Sequence, residues 1–141
     1  LDIGKKVTKH KKIPFSDTEI QKLWDNVDKV ENVDTVLILI YSCMRINEML
    51  KEIENINFDE RYMINGSKTE AGKDRVIPIS KKILKFIQDR YNTETKYLIE
   101  IDGKPVSYKQ YIKDVWNPIM EQLDMNHTPH ECRHTRKFFN G

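Results

Sequence analysis

Cysteine, glycine and long apolar runs are all scarce in this sequence, and each shortage removes a class of protein. Two cysteines among 141 residues, Cys43 and Cys132, cannot build a disulfide framework. No signal peptide opens the chain, so the expected setting is the reducing cytoplasm. The longest apolar run, Val36 to Tyr41, is far too short to cross a bilayer. No internal repeat or low-complexity stretch is present. Apolar residues do recur at helical spacing, beside two tryptophans, six tyrosines and five phenylalanines, which excludes a disordered chain. The length suits one domain with a single core.

Charge is balanced overall, at a formal +2, but it is unevenly distributed. The segment 1–12 carries Lys5, Lys6, Lys9, Lys11 and Lys12 against Asp2. From Ser16 to Arg61 eleven acids face five bases. Lys68, Lys73, Arg75, Lys81, Lys82 and Lys85 then outnumber Glu70 and Asp74, and Arg133, Arg136 and Lys137 outnumber Glu131 near the end. Three separated basic segments can be folded onto one face, which would suit a polyanion; solvated surface lysines are the plain alternative.

Residues 1–14 lack apolar periodicity and read as a linker or tail, with the domain proper over 15–141. Ser16-Asp17-Thr18-Glu19 fits a capping box, opening a helix with Ile20, Leu23, Trp24 and Val27 on one face. Val33 to Ser42 is apolar nearly all round and is expected as a buried helix. A break near Cys43-Met44 separates it from a second helical stripe at Ile46, Met49, Leu50 and Ile53. The period then changes. Ile56–Phe58, Arg61–Ile64 and Arg75–Ile79 predict a three-stranded antiparallel sheet with a long hairpin between its last two strands. Helical spacing resumes at Ile83, Leu84 and Ile87, and after a loop at Asp102–Pro105, Ser107 caps a helix that Pro118 should kink or split. Thr128-Pro129 starts a last helix. The expected class is α+β, mostly α.

The densest cluster of reactive side chains is His127 to Arg136, and it admits two readings. His130-Glu131-Cys132-Arg133-His134 matches H-E-x-x-H, the pattern of zinc hydrolases, yet the residues after it supply no third ligand and its arginines would repel a dication. In the other reading, His130 and Arg133 share one face at a helix start and form a corner for a phosphate. Here the sequence resembles the tyrosine recombinases (phage integrases), whose second arginine box reads H-x-L-R-H-T; Cys132 stands for the leucine. Ser42-Cys43-Met44-Arg45-Ile46-Asn47-Glu48-Met49-Leu50 is similar to the first arginine box, T-G-x-R-x-x-E-L, with Cys43 in place of glycine, which could crowd the turn and displace Arg45. Ser67 to Ile79, with Lys68 before a turn and an Arg-Val-x-Pro strand, resembles the family's catalytic hairpin.

The resemblance implies the family's catalytic-domain fold and its reaction: DNA strand breakage and rejoining through a 3′-phosphotyrosyl intermediate, with no metal or nucleotide cofactor. It assigns Arg45 and Arg133 to the phosphate, His130 to a non-bridging oxygen or the nucleophile's proton, Lys68 to protonation of the leaving 5′ oxygen, and Glu48 to orienting Arg45 or its helix. Lys73, Arg75, His134 and Arg136 are expected at DNA phosphates, and double-stranded DNA is the implied partner. The family's nucleophilic tyrosine follows the second box, whereas all six tyrosines here precede it. The chain therefore reads as a C-terminally truncated domain, expected to be unable to cleave DNA alone, to expose apolar surface near the second box and to self-associate. The competing functions are a non-catalytic DNA-binding or regulatory remnant and, third, a zinc hydrolase.

Overall fold

Ser16 starts the first helix as its residue type dictates. Its hydroxyl accepts the Glu19 N–H (3.1 Å) while the Glu19 carboxylate accepts the Ser16 N–H (2.9 Å). In the computed structural model, which describes residues 13–66 and 73–135, this opens helix α1 (Asp17–Asp25), whose Ile20 and Leu23 face inward. Helix α2 (Val33–Ser42) follows and is buried over nearly its whole circumference, as its unbroken apolar run requires. It packs against α1, against a later helix over 84–90 and against the last helix described, so the core is built around it.

A left-handed residue, Cys43 (φ 62°), ends α2, and α3 (Ile46–Leu50) begins after Met44 and the extended Arg45. The helical stripe expected to reach Ile53 stops sooner. Ile53 is buried in extended chain, its N–H bonded to the Lys96 carbonyl at 2.7 Å, so a long-range pairing overrides the local pattern. Strands β1 (Asn55–Asn57), β2 (Tyr62–Gly66) and β3 (Lys73–Pro78) form the expected antiparallel sheet in sequential order, with Ile56 opposite Met63 and Met63 opposite Ile77. Alternation puts Met63 and Ile77 on the core and leaves Val76 exposed.

Helix α4 (Leu84–Arg90) returns across α2, and the Arg90 guanidinium clasps Asp34 while donating to Asn32 Oδ1 at 2.9 Å. The loop expected around Asp102 is a tight hairpin instead, with β4 (Glu100–Ile101) pairing β5 (Lys104–Pro105). Asp102 and Gly103 both take positive φ, the geometry that Asp-Gly favours between twisted strands. Beyond the Ser107 cap the chain stays helical through α5 (Tyr108–Tyr111), a π-helical stretch over Ile112–Trp116 and α6 (Asn117–Gln122). Pro118 therefore does not split the helix, but the helical geometry changes just ahead of it. It lacks the N–H that an α-helix would point at residue 114, and its ring would press on that carbonyl. The wider turn just before it, with Asn117 N–H bonded to the Ile112 carbonyl, absorbs both defects. Helix α7 (His130–Thr135) closes the described chain, burying Cys132 and Thr135. Among the described residues no helix is long and apolar enough to cross a membrane.

Candidate functional site: a cationic cleft

One wall of the site is the turn between α2 and α3. The Ser42 hydroxyl accepts the Met44 N–H (3.2 Å), and Met44 is buried, which anchors the turn. Arg45 is extended (φ −74°, ψ 150°), its N–H donated to the Glu48 carboxylate at 2.9 Å and its carbonyl accepting the N–H groups of Glu48 (2.9 Å) and Met49 (3.2 Å). The backbone of Arg45 is thus held from both sides while its side chain is exposed. Cys43 occupies the position where the first arginine box has glycine. Its φ of 62° and ψ of 21° are what glycine reaches without strain, and Cys43 occupies them while bonding its N–H to the Leu39 carbonyl (3.2 Å). The effect at this position is therefore backbone strain.

The opposite wall is the start of α7. With Cys132 and Thr135 turned into the core, His130 and Arg133, one turn apart, face outward. Together the two walls enclose a cleft of about 250 Å³. Arg45, Asn47, Thr128, His130 and Arg133 line it together with Met44, Ile46 and Pro129, and the half-exposed Tyr108, in the first turn of α5, completes it. A wider hollow of about 500 Å³ lies over β1 and β2, but Asp59 is its one charged side chain, so it offers an anion no cationic partner. The smaller cleft, with two guanidinium groups and an imidazole, suits a tetrahedral anion.

Behind α7 lies an arrangement that the sequence reading did not identify. His127 is buried, its ring stacked on Phe15 with centroids 4.0 Å apart. Nδ1 faces Glu131 Oε1 at 2.8 Å and Nε2 faces Glu19 Oε1 at 2.9 Å. A carboxylate oxygen thus stands at each ring nitrogen. Burial acts to raise the Glu131 carboxyl, but hydrogen bonds from His127 and from the Thr128 and Ile13 N–H groups hold it below its ordinary range. Glu19 is lowered in the same way, burial being outweighed by the Ser16 N–H and by His127. The backbone at 13–15 is fastened to α7 by the same cluster: Phe15 N–H donates to Thr135 Oγ1 at 2.8 Å and Ile13 N–H to Glu131 Oε2 at 3.4 Å.

The structure brings Arg45, His130 and Arg133 to one cleft, with Glu48 at the backbone of Arg45. His134 packs edge to face on His130, with ring centroids 5.2 Å apart. Lys68 and Arg136 lie outside the described residues, as do the side chains of Lys73 and Arg75 and the five lysines of the amino-terminal segment. Glu131, the would-be general base of the zinc reading, is turned away to His127. Among the described residues no three His, Cys, Asp or Glu side chains form a group able to hold a metal ion. Tyr108 was legible in sequence as a helix residue, but nothing local marked it as part of the cleft. The His127–Glu131 pair had a local signal in its i,i+4 spacing, whereas Glu19, 108 residues from His127, had none.

Residues 14–137 match the description "Phage integrase family". The chain is 32% identical to tyrosine recombinase XerA of Pyrococcus horikoshii over 96% of its own length and 52% of that protein's. Among solved structures it is similar to the Tn1549 transposon integrase in complex with circular intermediate DNA, with a TM-score of 0.72 at 17% identity over 91% of this chain and 52% of that one. It is also similar to XerA recombinase, with a TM-score of 0.70 at 18% identity, over 94% and 50%. The chain spans about half the length of these relatives.

Proposed function

The chain belongs to the phage integrase family, and on that premise we propose that it is the part of a tyrosine recombinase catalytic domain that grips the scissile phosphodiester of double-stranded DNA. The observation that carries this reading is the meeting of Arg45, His130 and Arg133, distant in sequence, on one cleft of about 250 Å³. Strand breakage moves the phosphorus from the 5′ oxygen to a tyrosine hydroxyl: a P–O bond forms to the tyrosine, the P–O5′ bond breaks, the tyrosine loses a proton and the 5′ oxygen gains one. Negative charge builds on the two non-bridging oxygens in the transition state. Planar guanidinium groups meet those oxygens with paired, directed N–H donors, and being fixed in advance they need no reorganisation as the charge develops.

In this reading Arg45 and Arg133 clamp the phosphate. His130 donates to a non-bridging oxygen or receives the tyrosine proton, and Glu48 keeps Arg45 in place through its backbone. Lys68 protonates the leaving 5′ oxygen. Two arginines sharing its phosphate make it a readier acid, since like charge disfavours the ammonium form. Lys73, Arg75, His134 and Arg136 meet neighbouring phosphates. Assembly of several copies on DNA and action in the cytoplasm of a bacterial or phage-infected cell belong to the same reading.

Equilibrium binding of a fluorescent duplex at low salt tests it. Arg45→Ala and Arg133→Ala should each weaken binding about tenfold, the cost of one charged hydrogen-bonding group, and Arg133→Lys should recover little of the loss. Binding indifferent to both alanine variants would overturn the assignment. A nicked suicide duplex tests the nucleophile. None of the six tyrosines has the family's nucleophile context, so this chain alone should form no covalent adduct. An adduct that disappears in Tyr108→Phe would instead give the attacking hydroxyl to the tyrosine on the cleft.

A further inference from the structure

Among the described residues, His127 is the one histidine, lysine, arginine, aspartate or glutamate that is buried, and the chemistry above does not use it. Four groups fix it: Glu19 and Glu131 at its two ring nitrogens, Phe15 against its face, and the Trp116 indole N–H, which donates to its carbonyl at 2.8 Å. Glu131 also accepts the Thr128 N–H at 3.2 Å, so one carboxylate ties the buried ring to the first turn of α7. Thr135 extends the tie, accepting the Phe15 N–H and donating to the Glu131 carbonyl at 2.9 Å.

None of His127, Glu131, Glu19 and Phe15 lines the cleft, yet His127 and Glu131 are interleaved in sequence with residues that do: Thr128, Pro129, His130 and Arg133. The two sets lie on opposite faces of the same turn. Any shift of the buried face therefore displaces the exposed one. A bidentate guanidinium–phosphate contact tolerates only a fraction of an ångström of such displacement.

We propose that His127 is a positioning residue for the DNA site: bridged between Glu19 of α1 and Glu131 of α7, it sets the height and rotation of α7 and so aims His130 and Arg133 at the scissile phosphate. This rests on the phosphate-binding reading of the cleft. Glu131 and Thr135 also join the segment at Ile13 and Phe15 to the helix of the site, so that segment and site move together.

Glu19→Gln is the informative variant. Glutamine at the third helical position still completes the capping box with Ser16, so α1 is kept while the charged partner of His127 is lost. Charge counting alone predicts that removing a carboxylate tightens DNA binding; a positioning role predicts the opposite. Duplex affinity at fixed low salt should fall about fivefold in Glu19→Gln. It should not fall further when the substitution is made in a His130→Ala/Arg133→Ala background, whereas the loss of melting temperature should be the same in both backgrounds. The His130 ring resonances should move in the single variant. An equal loss of affinity in both backgrounds, or unchanged or tighter binding in the single variant, would overturn the proposal. If the His130→Ala/Arg133→Ala protein itself binds like the native chain, the phosphate reading fails, and the positioning role fails with it.

Discussion

Residue 43 shows how much one backbone angle can matter. The α2–α3 turn needs a left-handed residue immediately before Met44 and Arg45, and the chain supplies cysteine at φ 62°. A side chain there costs about 1–2 kcal/mol, part of which glycine returns through its freer unfolded state. Cys43→Gly should therefore raise stability by about 1 kcal/mol, read as a higher urea midpoint at unchanged slope. Arg90 and Asp34 make the opposite case. The pair is mostly buried, with side chains 20% and 17% exposed, and the Arg90–Asp34 contact joins α4 to α2. Asp34→Ala would strand the guanidinium, and it should cost about 3 kcal/mol in the same urea titration.

Stretches of a single element hang on caps and long-range partners, and the acid response follows from them. Glu19 and Glu131 are held below the ordinary carboxylate value of 4.5. A lowered folded pKa contributes stability that is complete above the unfolded value and is lost as pH falls through the folded one. The melting temperature should then hold from neutrality to about pH 4.5 and drop below it. Glu19→Gln/Glu131→Gln should melt lower at pH 7 but lose less below pH 4.5. Elements whose signals are local were legible in the sequence: the Ser16 and Ser107 caps, the buried α2 and the three alternating strands. Those decided by distant partners were not. The stripe at Ile53 yields to the Lys96 carbonyl, the Asp102-Gly103 hairpin has strands too short to show a period, and the π stretch before Pro118 is one of several ways a helix can accommodate proline. The site divides along the same line. Arg45, His130 and Arg133 stand in motifs, while Glu19 reaches His127 only through the fold.

At the scale of the whole molecule the question is where the charge lies. The segment that forms α1 to β1 and the turn after it is acidic, with eleven acids to five bases over 16–61, yet Arg45 stands exposed within it and meets α7 at the cleft. Lys81, Lys82 and Lys85 are exposed ahead of and within α4. A surface of mixed sign can hold a duplex only along its basic tract, so binding should be electrostatic in origin and confined in place. Each phosphate neutralised releases condensed counterions and adds about −0.9 to the slope of log affinity against log salt. The slope should therefore be several units for the native chain and about one unit shallower for Arg133→Ala, whatever the duplex sequence. Lys22→Met is the internal comparison. Lys22 sits on α1, spanning to the Leu123 carbonyl, and lines a hollow with Asp17 and Asp25, so removing its charge should leave the slope unchanged. Equal changes for Arg133 and Lys22 would mean that net charge alone draws the DNA and that the cleft has no privileged part in holding it.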